Sequence, residues 1–494
     1  MIYRKLTFIV VLWAFLISCS GPGHIAKHDV EQIEQVSLDD SLVFERFSKA
    51  LQIPTISYSN TARIDSTQFH SFIAFTKEYF PEVHDALDFT LVNDFGMLFR
   101  WKSNQADERK PVLFIGHYDV VPVDSSNIGM WTHPPFSGHD DGEFIWGRGA
   151  MDDKGGLMSM LEGIDYLLKN NFNPQRDLWF AFGQDEEVGG INGAAKMGEY
   201  LKEQGIEFEF VLDEGMPIVM ELHEELPTPV AFIGVTERGN MYLELSVDFE
   251  GGHSSLAANE TAISILANAI TKLSENPVPG RLEGLSLVTL EALAVDSAPL
   301  IQRVALSNLW LFRGMVERRM RDMPGADALL GTTAAPTMFF GGVNPNVLPS
   351  RATAVINYRI HPRENIDDIL EYVRKTIDDP RIEMDLYPGA RNPAPISSTE
   401  SNAYRTIEHT ILEVFPDVLT APSIFLAGTD SRHYRDISDN IYRFRPIRAY
   451  ADDASRVHGV DERINKNNLL EMVRFQIQLI QNVSSTTDFS EVLN

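Results

Sequence analysis

Four short apolar runs in this chain are each followed at once by polar chemistry, mostly histidine or acidic side chains. The runs are residues 112–115, 178–182, 208–212 and 424–426. Short apolar strands that alternate with helical segments predict an α/β fold with a mixed, mostly parallel sheet sandwiched by helices. Ligand sites in such sheets form beyond the carboxyl ends of the strands. We therefore predict one functional site at that edge of the sheet.

The segment 147–156, GRGAMDDKGG, places Asp152 and Asp153 directly before an apolar run at helical spacing. Its glycines allow backbone and ligands to approach closely. A carboxylate at such a position has two oxygens and can bridge two cations. The alternative is an acidic first helical turn that the helix dipole favours, and the acidic pair alone does not decide between the two.

Further candidate groups follow the other strands. His117 and Asp119 are two positions apart, so on a strand they face the same side, or Asp119 instead orients a ring nitrogen of His117. Glu186 and Glu187 are adjacent, so an extended backbone points them apart and leaves one for a metal and one for protons. The remaining two candidates are Asp213 and His458. Each group alone is also typical of a structural histidine, a solvated loop or a helix cap.

The donor types in this set indicate which metal they suit. Imidazole and carboxylate donors without thiolate suit Zn²⁺, with Co²⁺ or Mn²⁺ as alternatives. Cys19 is the only cysteine, which excludes thiolate ligands in the body of the chain and a disulfide within it. Two ions about 3.5–4 Å apart that share a carboxylate can clamp a water and a substrate carbonyl.

The first residues form a targeting segment. Arg4 and Lys5 precede an apolar run over residues 6–17 that is too short for a normal membrane span. The run ends in a small residue and Cys19, which resembles a bacterial lipoprotein signal with Cys19 as the lipidated residue. We predict a signal peptide at 1–19, a polar tether at 20–40, and an exported protein that a lipid anchors to the cell envelope, facing the periplasm. An ordinary secretory signal is the alternative.

The overall charge excludes one class of partner. The chain of 494 residues has a net charge of −28. Binding of a nucleic-acid backbone needs basic patches, so we expect no nucleic-acid partner. With 44% hydrophobic residues, the chain is long enough for more than one core.

Five spaced motifs resemble the dinuclear-zinc aminoacylase/carboxypeptidase family, and within it the branch of carboxypeptidase S and N-fatty-acyl-amino-acid synthase/hydrolase. The family motifs are HYD at 117–119, GRGAMDDKGG at 147–156, DEE at 185–187, DEG at 213–215 and HG at 458–459. The branch is indicated by WTHPPFSG at 131–138, FIWGRGAMDDKGG at 144–156, APTMFFGGVNPNVLP at 335–349, GTDSRHY at 428–434 and HGVDERI at 458–464. The likeness covers nearly everything after about residue 40.

The resemblance implies two Zn²⁺ ions and a role for each candidate. Asp152 would bridge both ions and join Asp153 through a cis peptide bond. Glu187 and His458 would complete one ion. The other ion would be completed by His117 and Asp213. Glu186 would be the general base, and Asp119 would support His117.

The resemblance also implies a zinc-exopeptidase domain, at 41–238 and 393–494, with an inserted α+β lid domain at 239–392. His253 would polarise the scissile carbonyl, and Asn346 and Arg359 would hold substrate oxygens. The substrate carboxylate would be positioned by Gly428 and Thr429. A helix-cap neighbour is the alternative for His253, and a surface charge is the alternative for Arg359. The segment 281–334 is longer and more apolar than the corresponding part of a compact lid, so it either lines a pocket for an acyl chain or packs structurally. For the oligomeric state, we expect either a monomer or a homodimer that forms through the lid.

Together these features predict a metal-dependent hydrolase. It would cleave the amide bond next to a free carboxylate in small peptides or N-acyl amino acids, with a metal-bridging water that Glu186 activates. The enzymatic alternatives are an aminopeptidase or another N-deacylase. The alternative from another class is a non-catalytic peptide-binding lipoprotein. Such a protein would lack one of the metal ligands or the general base, and in this sequence none of these residues is missing.

Overall fold

The structure is a computed structural model that describes residues 30–105, 109–222, 227–256, 259–293, 304–306, 308–322 and 327–489. The predicted signal peptide, its Cys19 and the first part of the tether lie outside the described residues. None of the helices within those ranges is both long enough and apolar enough to cross a membrane.

Seventeen strands lie in the described ranges. In chain order they are β1 (Asp88–Val92), β2 (Gly96–Trp101), β3 (Val112–His117), β4 (His139–Asp140), β5 (Phe144–Trp146), β6 (Leu178–Gly183), β7 (Phe210–Val219), β8 (Val230–Glu237), β9 (Gly239–Asp248), β10 (Gly252–His253), β11 (Thr333–Gly341), β12 (Val347–Leu348), β13 (Arg351–Ile360), β14 (Ile382–Leu386), β15 (Leu419–Phe425), β16 (Ile441–Ala449) and β17 (Arg463–Asn465).

The helices alternate with these strands. In chain order they are α1 (Asp40–Leu51), α2 (Ser66–Tyr79), α3 (Pro81–Ala86), α4 (Lys154–Lys169), α5 (Ala194–Glu203), α6 (Ala262–Glu275), α7 (Leu285–Ala292), α8 (Leu309–Arg321), α9 (Asp327–Leu330), α10 (Ile366–Ile377), α11 (Asn402–Val414) and α12 (Lys466–Ser484). Side chains cap several of their first turns. Asp39 accepts a hydrogen bond from the Leu42 backbone at 3.2 Å, and Pro81 begins α3, where its missing N–H loses nothing.

The larger sheet has eight strands in the order β1-β2-β6-β3-β7-β16-β8-β15. β3 runs parallel to β6 and β7, β7 runs parallel to β16, and β8 runs parallel to β15. β1, β2 and the contact of β16 with β8 are antiparallel. The predicted mixed, mostly parallel sheet is therefore confirmed.

Alternating side chains on β3 show why helices cover both faces of this sheet. Val112 and Phe114 point into the largest core, where they meet α1, α2, α4, α11 and α12. Leu113 and Ile115 point the other way and pack with α5. A strand that is buried on both faces needs apolar residues at every position, and this accounts for the continuous run that the sequence shows.

A second sheet of four antiparallel strands, in the order β11-β13-β9-β14, forms the lid. Along β9, every second residue from Met241 to Val247 is buried. These residues pack against α6 and α10. The lid therefore has a core of its own, as the alternation in its first strand predicts.

Part of the insertion at 281–334 packs on the catalytic sheet and not on the lid. Thr289, in α7, donates a hydrogen bond to the Pro422 carbonyl of β15 at 2.6 Å. Leu293 shares a small apolar cluster with Phe232 and Leu419. For α7 this favours structural packing over the alternative of a substrate pocket.

The described end of the predicted tether differs from the prediction. Residues 30–39 form no helix or strand, but Ile33, Val36 and Leu38 pack against the largest core. Arg474 of α12 also donates to the Val36 carbonyl at 3.4 Å. The described part of residues 20–40 therefore packs on the folded domain, because its few apolar side chains contact the core there.

Candidate metal centre

The carboxylate of Asp152 divides its two oxygens between two histidines. Its Oδ1 lies 3.3 Å from Nε2 of His117, at the end of β3. Its Oδ2 lies 3.1 Å from Nε2 of His458, which itself lies 3.1 Å from Oε2 of Glu187. The ligand atoms of His117, Asp152 and Glu187 all lie within 4.8 Å of one another. The geometry is that of a carboxylate between two cation sites.

Two buried residues hold the segment before α4 in this place. Glu462 accepts hydrogen bonds from the backbone of Met151 at 2.8 Å and of Asp152 at 3.2 Å. Arg148 pairs with Glu462 at 2.5 Å and donates to the His458 carbonyl at 3.0 Å. The segment of Asp152 is thereby tied to the segment of His458. The peptide bond between Asp152 and Asp153 is cis, as expected.

Glu186 and Glu187 lie on one 3₁₀ turn over Glu186–Val188, so the prediction of an extended backbone there is wrong. Asp119 explains the turn, because its carboxylate accepts from both of their backbone nitrogens, at 3.1 and 3.2 Å. Successive residues of such a turn still point in different directions. Glu187 faces His458, and the ligand atom of Glu186 lies within 4.8 Å of those of His117 and Glu214.

Asp119 also contacts His117. Its Oδ1 lies 3.3 Å from Nδ1 of His117, and its backbone carbonyl lies 3.1 Å from the same nitrogen. Ser57 donates to the Asp119 carboxylate at 2.6 Å. Of the two arrangements that the sequence allows, the structure therefore has Asp119 beyond the strand, where it leaves Nε2 of His117 directed at Asp152.

Asp213 does not face this centre, although the resemblance made it a metal ligand. Its Oδ2 instead accepts from the Ser431 backbone at 2.8 Å, in the loop after β15. Neighbouring Glu214 points inwards, with Oε1 3.7 Å from Nε2 of His117. Adjacent residues of a strand face opposite ways, so only one member of the pair can reach the centre.

Arg445, which is not among the predicted site residues, is buried beside the same carboxylates. Its guanidinium lies 3.0 Å from Asp152 Oδ1 and bonds to Oε2 of Glu214. An arginine in the apolar strand IYRFRPI was the available signal, because a buried guanidinium needs acidic partners.

Burial and crowding of like charges perturb the pKa values of these carboxyl groups. Burial raises the pKa of Glu187 to about 7, although a hydrogen bond from His458 opposes the rise. Burial also raises the pKa of Glu186 well above its ordinary value, with His117 opposing and Glu214 adding to it. Hydrogen bonds with Asp152 and Glu187 raise the pKa of His458 to about 10. The cluster thus holds more buried negative charge than its own cations offset.

The donor set fits divalent cations. Oε1 of Glu187 is buried and finds no hydrogen-bond partner within the described part of the chain. Imidazole nitrogens and carboxylate oxygens are the ligands that Zn²⁺ takes at a catalytic site, with Co²⁺ and Mn²⁺ also compatible. One half would be held by His117, Asp152 and Glu214, and the other by His458, Asp152 and Glu187.

Two predicted lid residues lie apart from this centre. His253 is exposed on β10, and its ring bonds to Ser255 Oγ at 2.7 Å. Asn346 lies beside it, because its backbone carbonyl accepts from the Ser254 backbone at 3.0 Å. Both lie near the start of β13, roughly 26 Å along that strand from Arg359 at its other end. The described contacts do not bring either residue to the metal cluster.

Arg359 belongs to a cluster of arginines at the junction of lid and sheet. A side chain at Gly428 would collide with the guanidinium of Arg391, and it would lie 3.4 Å from that of Arg432. Burial lowers the pKa of Arg391, as do Arg432 and Arg359 beside it. Gly428 is therefore required for two guanidinium groups to converge. Arg391 and Arg432 were missed because each occupies an irregular segment without a periodic signal.

Thr429 is fixed by a buried network behind these arginines. Its hydroxyl donates to Glu237 Oε1 at 2.9 Å, and Ser431 donates to the same oxygen at 2.9 Å. Arg443 completes the pairing with Glu237 at 2.7 Å. The loop that carries Gly428 and Thr429 is thus held by Glu237 on one side and by Asp213 on the other.

Comparison with known proteins gives matches over most of the chain. Residues 113–482 match the group described as peptidase family M20/M25/M40. The probable carboxypeptidase S-like 2 of Dictyostelium discoideum is 41% identical over 450 residues, which are 90% of this chain and 86% of that protein. The N-fatty-acyl-amino acid synthase/hydrolase PM20D1 of Mus musculus is 35% identical over 484 residues, which are 97% and 95% of the two chains.

Solved structures share the fold at low sequence identity. An M20 family metallo-carboxypeptidase from Sulfolobus solfataricus superposes with a TM-score of 0.62 at 18% identity, covering 91% of this chain and 100% of that one. Human carnosine dipeptidase 1 superposes with a TM-score of 0.58 at 15% identity, covering 91% of this chain and 100% of that one. These likenesses show that the arrangement of sheet and lid is that of zinc-exopeptidase folds.

Proposed function

Because the chain belongs to peptidase family M20/M25/M40, we propose that it is a metal-dependent hydrolase of small peptides or N-acyl amino acids, acting on the amide bond next to a free carboxylate. The observation that carries the proposal is the position of Asp152, with one oxygen at His117 and the other at His458. We propose two Zn²⁺ ions as the metals.

The residues around the centre divide the chemistry. Two divalent cations held there would lower the pKa of a bound water and polarise the scissile carbonyl. Glu186 accepts the proton of the attacking water and delivers it to the departing nitrogen. Its raised pKa suits both steps, because the carboxylate must take up the proton and release it again. The carboxylate of Asp119 keeps Glu186 in place by accepting a hydrogen bond from the Glu186 backbone N–H.

The arginine cluster supports recognition of a free carboxylate. Arg391 and Arg432 converge at Gly428, and Arg359 lies close enough to Arg391 to lower its pKa. Crowded guanidinium groups repel one another, so an anion between them is favoured. A planar guanidinium also matches the two oxygens of a carboxylate.

The names of the relatives suggest two kinds of substrate. Carboxypeptidase S of Saccharomyces cerevisiae, 29% identical over 508 residues, is named for cleavage of peptides. The PM20D1 proteins are named for N-fatty-acyl amino acids. Both kinds of molecule present an amide beside a carboxylate, which is the common feature that we assign to this chain.

A substrate panel with the purified, zinc-loaded protein tests the proposal. Dipeptides and N-acyl amino acids should be hydrolysed, whereas the same compounds with an amidated carboxyl group should react at least about tenfold more slowly. EDTA should abolish turnover, and added Zn²⁺ should restore it.

Each other outcome points to a different function. Equal turnover of free and amidated compounds would contradict carboxylate recognition, and cleavage of amino-acid amides with a free amino group would indicate an aminopeptidase. Binding of peptides without turnover would indicate a binding lipoprotein.

We also propose that Cys19 is lipidated and that the protein is exported to the cell envelope, facing the periplasm. The support is the sequence alone, a short apolar run that follows Arg4 and Lys5 and ends at Cys19.

A homodimer through the lid is the oligomeric form that we propose, with the monomer as the alternative. β11 lies at the edge of the lid sheet, and its Met338, Phe339 and Phe340 are exposed. An exposed apolar edge strand is a template for pairing with another chain. Light scattering on the purified protein measures this, and a mass of one chain at micromolar concentration would contradict it.

A further inference from the structure

Arg445 occupies a position that none of the motifs contains. It lies on β16, which runs parallel to β7, the strand of Glu214. Its side chain is only 8% exposed. Neighbouring Phe444 packs into the largest core, on the opposite face of the strand. The guanidinium of Arg445 is instead directed at the carboxylates of the metal centre.

The guanidinium contacts four groups. Nη2 lies 3.0 Å from Asp152 Oδ1 and also bonds to Glu214 Oε2. Nη1 donates to the Met151 carbonyl. Nε lies 3.4 Å from Oδ1 of Asp153. One planar group thus grips both carboxylates that face His117 and the backbone between them.

The contacts leave the remaining oxygens free for a metal. Glu214 gives Oε2 to Arg445, and its Oε1 lies 3.7 Å from Nε2 of His117. Asp152 gives Oδ1 to Arg445 and His117, and its Oδ2 faces His458. Among the described residues, Arg445 pairs with neither Glu187 nor His458. Its influence is therefore confined to the half of the centre that His117 holds.

We propose that Arg445 is a positioning residue of the metal centre, which fixes the rotation of Asp152 and Glu214 and so sets the affinity of the His117 half alone. Two effects of opposite sign are at work. The positive charge repels a cation, whereas the rigid fork holds two ligands that would otherwise rotate. Residues that orient metal ligands typically contribute 10- to 100-fold in affinity. We assign the larger effect to orientation.

Metal binding to the Arg445→Met variant tests this inference, which rests on the proposed dinuclear centre. The metal-free protein is titrated with Zn²⁺ against a chromophoric chelator. The wild type should bind two equivalents. In Arg445→Met one equivalent should bind 10- to 100-fold more weakly and the other unchanged. Two equivalents with unchanged or tighter affinity would overturn the inference, because repulsion would then dominate.

A second pair of variants identifies the affected half. Glu187→Gln weakens the His458 half, so the metal that it retains belongs to His117. Adding Arg445→Met to this background should weaken that retained metal too. If the retained metal binds as before, Arg445 does not act on the His117 half. If the wild type binds fewer than two equivalents of Zn²⁺, the dinuclear centre itself is contradicted. Failure of the proposed centre can therefore be distinguished from failure of the role proposed for Arg445.

Arg443→Met is the matched control, since Arg443 is also a buried arginine of β16 but pairs with Glu237. It should keep two equivalents at wild-type affinity. Arg445→Lys keeps the buried charge and should fold even where Arg445→Met does not, as circular dichroism would show. A lysine is a point donor and cannot hold both carboxylates, so it should also weaken one equivalent. Wild-type affinity in Arg445→Lys would overturn the inference as well.

Discussion

Asp213 and Glu214 are neighbours on β7, yet their carboxylates serve opposite sides of the sheet. Asp213 accepts from the Ser431 backbone at 2.8 Å, and Glu214 lies 3.7 Å from Nε2 of His117. The motif DEG does not reveal which acid faces the metals, and the resemblance assigned that role to Asp213. The geometry favours Glu214 as the metal ligand.

Glu214→Gln should lose at least about tenfold in affinity for one metal, because an amide is a poorer ligand than a carboxylate. Asp213→Asn has the same shape change and should keep both metals. It should instead raise KM, since Asp213 anchors the loop of Gly428 and Thr429. Metal analysis and steady-state kinetics on both variants check this. Loss of a metal in Asp213→Asn alone would restore the assignment made from the resemblance.

Glu186→Gln and Glu187→Gln should fail in different ways. Glu186→Gln keeps its size and loses its basicity, so it should retain both metals and lose roughly 10²-fold or more in turnover, about 2.7 kcal/mol of barrier. Glu187→Gln should lose affinity for one metal, which excess zinc partly restores. Metal stoichiometry measured together with turnover decides. The reverse pattern would mean that the two roles are exchanged.

Arg359→Lys should lower kcat/KM by about tenfold or more, roughly 1.4 kcal/mol, because an ammonium cannot grip two substrate oxygens. Metal content should not change. Arg351→Lys, on the same strand but exposed and paired with Asp248, is the control and should keep full activity. Steady-state kinetics with one N-acyl amino acid provides the measurement. Full activity in Arg359→Lys would refute its role in substrate binding.

Cys19→Ala should abolish labelling by radioactive fatty acid and release the protein from membranes. The reason is that the thiol of Cys19 is the only one in the chain that can carry a lipid. Labelling in cells and fractionation of the envelope measure both effects. Ser20→Ala, at the next position, should remain labelled. Unchanged labelling of Cys19→Ala would exclude a lipoprotein.

Glu237 should make stability dependent on acid pH. Burial alone would raise its pKa, but Arg443, Ser431 and Thr429 outweigh burial and lower it from 4.5 to about 2. The native state therefore favours the charged form, and Glu237 contributes stability above about pH 4.5 that is lost as the pH falls towards 2. At pH 7 the contribution is about 3 kcal/mol.

Urea unfolding of Glu237→Gln checks this expectation. The variant should be less stable than the wild type at pH 7, and the difference should shrink at pH 3. Glu250→Gln, at an exposed position, should unfold like the wild type at both values. A difference of the same size at pH 3 and pH 7 would show that charge is not the cause.

The sequence by itself determined the sheet and most of the centre. The run at 112–115 becomes β3 and delivers His117 to the end of the strand, because a strand buried on both faces needs an unbroken apolar run. The apolar helical spacing after Asp153 becomes α4. Local pattern is enough for such elements, since burial and backbone geometry act on neighbouring residues.

Only the tertiary structure decided which side chains meet. Arg445 and Asp152 are 293 positions apart in the chain. Arg445 also reaches Glu214, because β16 pairs with β7 through an irregular register. The same register places Glu214 inwards and Asp213 outwards. A shift of one residue would reverse both, and nothing local in the chain specifies it. Contacts between distant segments depend on the packed fold, so the arginines at Gly428 and the partner of Asp152 could be read only from the assembled structure.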